Sequence, residues 1–203
     1  MAKRTKGLDE AILARAKEEF LARGYESASL RTIAQNAAVS TSAIYTRFGD
    51  KEGLFRALVE PAAEQLLDYM RRYFGEFTAL EAGVQASEQA DYAEKGYDGF
   101  LDILYEHFEE FQLLVNSATN GIYRGYLEKI VALDTACTVD FLRSTGNRAY
   151  QEGRITEGFI HIVSAGFYAG LFEIAVHNIK RDEAEQYLQE LKRFYAKGWS
   201  SYL

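Results

Sequence analysis

The chain has 203 residues, 48% of them hydrophobic and 26% charged, with a net charge of −7 and a single cysteine, Cys137. These values fit one large domain, or a small one fused to a larger one. They exclude a disulfide framework and a disordered chain, and no uninterrupted apolar run reaches the length of a membrane span. The charge is uneven: residues 1–60 carry ten Lys/Arg against eight Asp/Glu, and residues 61–203 carry thirteen against twenty-two. The two parts are therefore expected to meet different partners.

One proline in the whole chain and little period-two alternation predict an all-α protein. The basic start, with Lys3, Arg4 and Lys6, leads into Asp9 and Glu10, not an apolar stretch, so it does not read as a secretory signal. It reads equally as a solvated terminus or as an arm that reaches DNA. The first helix is expected over 8–23, with Leu13, Ala16 and Phe20 on one face and Gly24 as its stop. Ser29 can cap a second helix, 30–37, and Ser40 a short third helix, 41–47. Asp50 can cap a fourth helix beginning at Lys51. Residues 30–48 thus fit a helix-turn-helix with its turn at Ala38-Val39-Ser40. The third helix is too short to be stable alone. It makes sense only if tertiary packing of Val39, Ile44 and Phe48 holds it, leaving Thr41, Ser42, Tyr45 and Thr46 outward.

The fourth helix carries the stripe Leu54, Leu58, Ala62, Leu66 and Tyr69. Pro61 lies inside it and predicts a bend near 57–61. Residues 75–87 read as a connection. Helices are then expected at 88–108, 110–117, 122–152, 156–178 and 182–201, with Thr156 capping and Ile155 stapling onto Ile160.

Ser29–Ala34, Ala37–Ser40, Ile44-Tyr45, Phe48 and Lys51–Leu54 together resemble the DNA-binding domain of the tetracycline-repressor-like (TetR) family of bacterial transcription regulators. The resemblance implies an N-terminal helix-turn-helix domain, residues 1–52, joined to a larger helical ligand-binding and dimerisation domain, residues 53–203. The family commonly has glycine where this chain has Ala38, at a turn position that often needs positive φ. The resemblance further implies that helix 41–47 enters the major groove of double-stranded operator DNA. Thr41 and Ser42 would then face bases, and Tyr45 and Thr46 phosphates. Helix initiation alone also accounts for Thr41 and Ser42. Lys51 sits in a first turn, where the helix dipole disfavours a cation, and an ammonium beside free amides makes a phosphate site. Arg31 and Thr32 can act in the same way.

The rest of the chain carries no motif that names a ligand. Its many aromatics at helical spacing are mostly core, yet with Asn116 and Asn120 they suit a mostly apolar cavity with a few polar anchors. The candidate ligand residues are Phe100, Tyr105, Asn120, Tyr123 and Phe167, and the expected ligand is small and mostly apolar. Gly166 and Gly170, in the repeated Ala-Gly pairs of helix 156–178, allow a close helix approach. With Leu188, Leu191 and Tyr195 they form the expected homodimer interface. The three histidines show no metal-ligand spacing, and no P-loop, dinucleotide fingerprint or nucleophile elbow is present. The expectation is a cytoplasmic, non-enzymatic regulator without cofactor. It is a repressor released from its operator by a small molecule, or alternatively a DNA-bound structural or cell-division protein of the same fold without a ligand.

Overall fold

The computed structural model describes residues 2–117 and 121–202. Ten helices and no strand are present among them: α1 (Ala2–Ser27), α2 (Leu30–Asn36), α3 (Thr41–Phe48), α4 (Lys51–Thr78), α5 (Ala82–Glu106), α6 (Phe108–Asn116), α7 (Ile122–Ser144), α8 (Arg148–Gln151), α9 (Glu157–Val176) and α10 (Arg181–Trp199). The all-α expectation holds, and α1–α3 are the short head of the chain.

The caps explain the head's boundaries. Ser29, Ser40 and Asp50 each stand just before a helix, and their side chains accept from the amides of Thr32, Ala43 and Gly53. The buried stripe of α1 is Ile12, Ala16 and Phe20, with Leu13 at its margin and not at its centre. Gly24, at φ 71° and ψ 165°, breaks the helix as expected, but the chain re-enters a helical turn and runs to Ser27.

Two longer-range expectations are corrected. Residues 75–87 are not a connection: α4 runs through Gly75 to Thr78, and α5 starts at Ala82, so the link is Ala79–Glu81. Gly75 and Gly83 are helical, and the polar Gln85 is buried. Its amide donates to the Phe77 carbonyl and its oxygen accepts from the Ser144 hydroxyl. The expected helix 122–152 is two. The chain leaves α7 through a Schellman turn in which Gly146 takes φ 67° and the Asn147 amide donates back to Leu142. Asn147 then caps α8.

Pro61 lies within α4, and the helix continues through it. α4 supplies nine buried residues, from Leu54 to Phe77, so one hydrophobic core runs without a gap from Ile12 in the head to Leu188 in α10. A smaller cluster joins Val139, Leu142, Ala149, Ile155 and Ile160, where Ile155 meets Ile160 as the staple required. By length and composition α9 is apolar enough to cross a membrane, with mean hydropathy 1.7, because its few polar residues are spread thinly. In this fold it is a core helix: Ile160, Phe167, Leu171, Phe172 and Ile174 are buried.

Candidate nucleic-acid interface and ligand cavity

The head holds α3 from three sides. Ile44 is fully buried beneath it. The Arg47 guanidinium pairs with Asp9 of α1 at 2.5 Å. The Phe48 carbonyl rests on Gly53, where a side chain would collide with it. The turn before α3 is a second Schellman arrangement: the amides of Ala38 and Val39 donate to Gln35 and Ala34, and Ala38 takes φ 54°. Alanine thus adopts here the positive φ that the family's usual glycine relieves, so the turn keeps its form and the cost is tolerated.

What this leaves outward is a small polar face. Ser42, Tyr45 and Thr46 are exposed, Thr41 is half-buried, and the Tyr45 ring is 52% accessible. The Thr46 hydroxyl donates to the Ser42 carbonyl at 2.8 Å. Arg31 is exposed and has no ion pair among the described residues, while the Thr32 amide is taken by the Ser29 cap. Lys51 is not free in space: its ammonium donates to the Glu26 carbonyl at 2.8 Å and lies 5.0 Å from the Tyr25 ring centroid. It nonetheless has no carboxylate partner among the described residues, unlike Arg47 and Arg56 of the same region. The side chains of Lys3, Arg4 and Lys6 lie outside the described set.

A cavity of about 150 Å³ opens between α4, α5, α7 and α9. Tyr73 and Phe77 come from α4, Tyr92 and Tyr97 from α5, Asp134 from α7 and Tyr168 from α9. Gly96 shapes it, because a Cβ there would fall 2.3 Å from the Tyr73 ring. The Tyr73 hydroxyl donates to the Tyr92 carbonyl. Asp134 accepts from the Ser164 hydroxyl at 2.5 Å and from Tyr168. Burial pushes its carboxyl up to about 6, against the downward pull of those two donors. Cys137, beside it, is pushed up to about 12 by burial and then by the Asp134 charge, so it stays a neutral thiol. Asp134, the only carboxylate lining the cavity among the described residues, therefore changes charge near neutrality.

Residues 12–58 match the sequence profile of the family described as "Bacterial regulatory proteins, tetR family". The match is confined to the head and the start of α4. Over nearly the whole chain the fold is similar to that of a protein from Mesorhizobium loti MAFF303099 described as TetR-family, with 19% identity, 95% and 97% of the two chains covered and a TM-score of 0.58. It is similar also to the TetR family transcriptional regulator PfmR from Thermus thermophilus, with 14% identity, 89% and 94% covered and a TM-score of 0.58. A transcriptional regulator from Aquifex aeolicus gives 20% identity, 93% and 98% covered and a TM-score of 0.57. At these identities the likeness is one of fold. No curated protein sequence matches the chain.

In this TetR-type fold Phe100, Tyr105, Tyr123 and Phe167, four of the sequence-predicted ligand residues, do not line the cavity. Phe100 and Phe167 are buried behind it, their rings 6.5 Å and 5.4 Å from that of Tyr168. The Tyr105 hydroxyl donates to the Ile179 carbonyl at 2.8 Å, and Tyr123 packs edge-on against Phe172. Asn116 is exposed, and Asn120 lies outside the described residues. The charged residue of this cavity that the sequence reading did not single out is Asp134. Its signal was present: Ile130, Asp134 and Cys137 share one helical stripe, so a carboxylate stands on a face that is otherwise buried.

The expected dimer residues all have partners within the chain. A Cβ on Gly166 would meet the Tyr195 hydroxyl, and one on Gly170 would meet Leu191. The Tyr187 hydroxyl donates to the Gly170 carbonyl at 2.9 Å, and Leu188 is buried. The contact between α9 and α10 of one chain accounts for the glycines. The most exposed apolar side chains there are Ile162 and Phe194, 70% and 75% accessible, with Phe159 and Val176 of α9 open to a lesser degree.

Proposed function

We propose that the chain is a homodimeric transcriptional regulator that binds operator DNA through α3 and is released from it by a small, mostly apolar ligand in the cavity. The observation that supports the reading is the outward polar face of α3 in a head that matches the tetR-family profile. On this reading Thr41 and Ser42 meet base edges and Tyr45 and Thr46 the backbone. Arg31, Thr32 and Lys51 are the proposed phosphate contacts. Lys51 would exchange its Glu26 carbonyl for a phosphate oxygen. On this reading residues 1–52 form the DNA-binding domain and residues 53–203 the ligand-binding and dimerisation domain, in a cytoplasmic, non-enzymatic protein.

Two features support communication between cavity and head. Tyr73 and Phe77 of the cavity lie on α4, the helix that begins at Lys51 directly after the head. A second link is ionic: Lys17 of α1 bridges Glu109 and Glu110 at the start of α6, at 2.8 and 3.0 Å. A cavity with one ionisable anchor favours ligand response over a purely structural DNA-bound role. Gly166, Gly170, Leu188, Leu191 and Tyr195 then act in the dimer by shaping the α9–α10 pair, and Ile162 and Phe194 make the contact between copies. A two-fold dimer spaces its recognition helices about 34–36 Å apart, which demands a palindromic site. Fluorescence anisotropy of the purified protein on DNA from upstream of its own gene, near 0.15 M salt, tests the reading. Saturable binding that survives excess random DNA is expected. Equal affinity for both DNAs would sink it.

A further inference from the structure

Resting on the reading of the cavity as a ligand site, we propose that the ligand is a small organic ammonium ion, its charge paired with Asp134 and its apolar body enclosed by Tyr73, Tyr92, Tyr97 and Tyr168. The argument begins with charge. Asp134 lies in a wall of aromatic and apolar groups, with part of its surface facing the cavity. Two hydroxyl donors, Ser164 and Tyr168, orient it but bring no positive charge. No Lys, Arg or His pairs with it among the described residues. Lys192 of α10 lies instead against the Tyr97 ring, 5.3 Å from its centroid. Among the described residues that line the cavity, the other titratable groups are Tyr73 of α4, Tyr92 and Tyr97 of α5, Cys137 of α7 and Tyr168 of α9, and none of these residue types carries a positive charge. A carboxylate enclosed in this way is destabilised until a cation arrives.

The wall suits the same guest. Tyrosine faces carry negative potential and attract an ammonium group as well as an apolar body. Tyr73 and Tyr92 stand 4.7 Å apart, centroid to centroid, and Tyr73 is seated there because Gly96 has no side chain. A space of about 150 Å³ limits the guest to a molecule near the size of benzene with a short substituent. An anionic ligand would meet like charge at Asp134. A neutral one would leave the carboxylate uncompensated.

The test uses three molecules of one shape and different charge: benzylammonium, benzyl alcohol and benzoate. Calorimetry with the full-length protein at pH 7.5 should rank them in that order, with benzylammonium about tenfold or more tighter than the alcohol. Asp134→Asn should erase the preference, because benzylammonium loses its counter-charge and binds no tighter than benzyl alcohol in the variant. If that variant does not fold, the wild-type protein decides. Benzylammonium affinity should fall as pH drops from 7.5 to 5, as Asp134 takes up a proton, and benzyl alcohol affinity should not. Equal binding of the amine and the alcohol overturns the cation proposal and leaves the cavity as a ligand site. So does a cation preference that survives Asp134→Asn. Failure of all three to bind at 10-millimolar order overturns it as well. Selective binding of benzylammonium without any change in operator affinity upholds the cation site and removes ligand-responsive regulation instead.

Discussion

Gly53, in the first turn of α4, lies so close beneath the carbonyl of Phe48 that a Cβ built on it would come within 1.9 Å of that oxygen. The contact is backbone to backbone and has no flexible side chain to yield. It fixes the angle between α3 and α4, while Asp50 ties the Gly53 amide at 2.7 Å. Gly53→Ala is therefore expected to cost about 1–3 kcal/mol of stability and to tilt α3. DNA affinity should fall by about tenfold or more in protein that is still folded by circular dichroism. Unchanged DNA affinity in folded Gly53→Ala would show that the α3–α4 angle is not what positions the reading face.

Ala38 gives the opposite case. It takes φ 54° at the same place in a Schellman turn where Gly146 and Gly153 serve two other helices and Asn178 a third. An alanine there costs roughly 1–2 kcal/mol, and glycine returns part of that through its freer unfolded chain. Ala38→Gly should raise stability by about 0.5–1 kcal/mol, read as an increase in the urea midpoint with no change in slope. A lower midpoint would mean that the alanine methyl packs usefully at this turn.

Lys51 is held by the Glu26 carbonyl and the Tyr25 ring and has no carboxylate partner among the described residues. As a phosphate contact it acts alike on all DNA. Lys51→Ala should weaken specific and random DNA equally and reduce the slope of log affinity against log salt by roughly one unit. Changes at Thr41 or Ser42 should alter base preference instead. An intact salt slope in Lys51→Ala removes the residue from the interface.

The head was legible because its signals are local. Ser29, Ser40 and Asp50 are caps whose meaning needs only the next three residues, and each caps as expected. The same logic misled further along. Gly75 and Gly83 looked like punctuation, but helix packing through Phe77 and Gln85 overrides the glycine cost of about 1 kcal/mol each. The cavity was the least legible part. Which aromatic rings face an empty space depends on how α4, α5, α7 and α9 cross, and spacing along one helix says nothing of that. Phe100 and Phe167 have the same periodic signature as Tyr97 and Tyr168, yet only the latter pair reaches the cavity.

The last helix pair separates intrachain packing from assembly. Gly170 accommodates Leu191 and Tyr187 of its own chain, so Gly170→Leu should destabilise the fold by about 1–3 kcal/mol whatever the oligomeric state. Ile162 and Phe194 are exposed, so Ile162→Glu with Phe194→Glu should leave stability within about 0.5 kcal/mol for an isolated chain and convert a dimer to monomers. Sedimentation velocity checks this. A dimer that persists in the double variant places the interface elsewhere.

Asp134 also makes a claim about pH. Its carboxyl titrates near 6 in the folded chain and near 3.9 when unfolded. Between those values the folded state holds a proton that the unfolded state has released. The sign follows: this group's contribution to stability is greatest below about pH 4, declines as pH rises, and is lost above about pH 6. Two units correspond to about 2–3 kcal/mol, an order-of-magnitude figure. Other carboxylates titrate in the same range, so the informative quantity is the difference between Asp134→Asn and wild type. That difference should shift by about 2 kcal/mol in favour of the variant between pH 4 and pH 7. Its pH-independent part reports how well the amide packs beside Ser164 and Tyr168, and its slope reports the ionisation alone. Urea unfolding of both proteins across this range supplies both parts. A difference that is flat with pH would mean that the carboxylate is as well solvated in the cavity as in the unfolded chain, and that no cation is needed to stabilise it there.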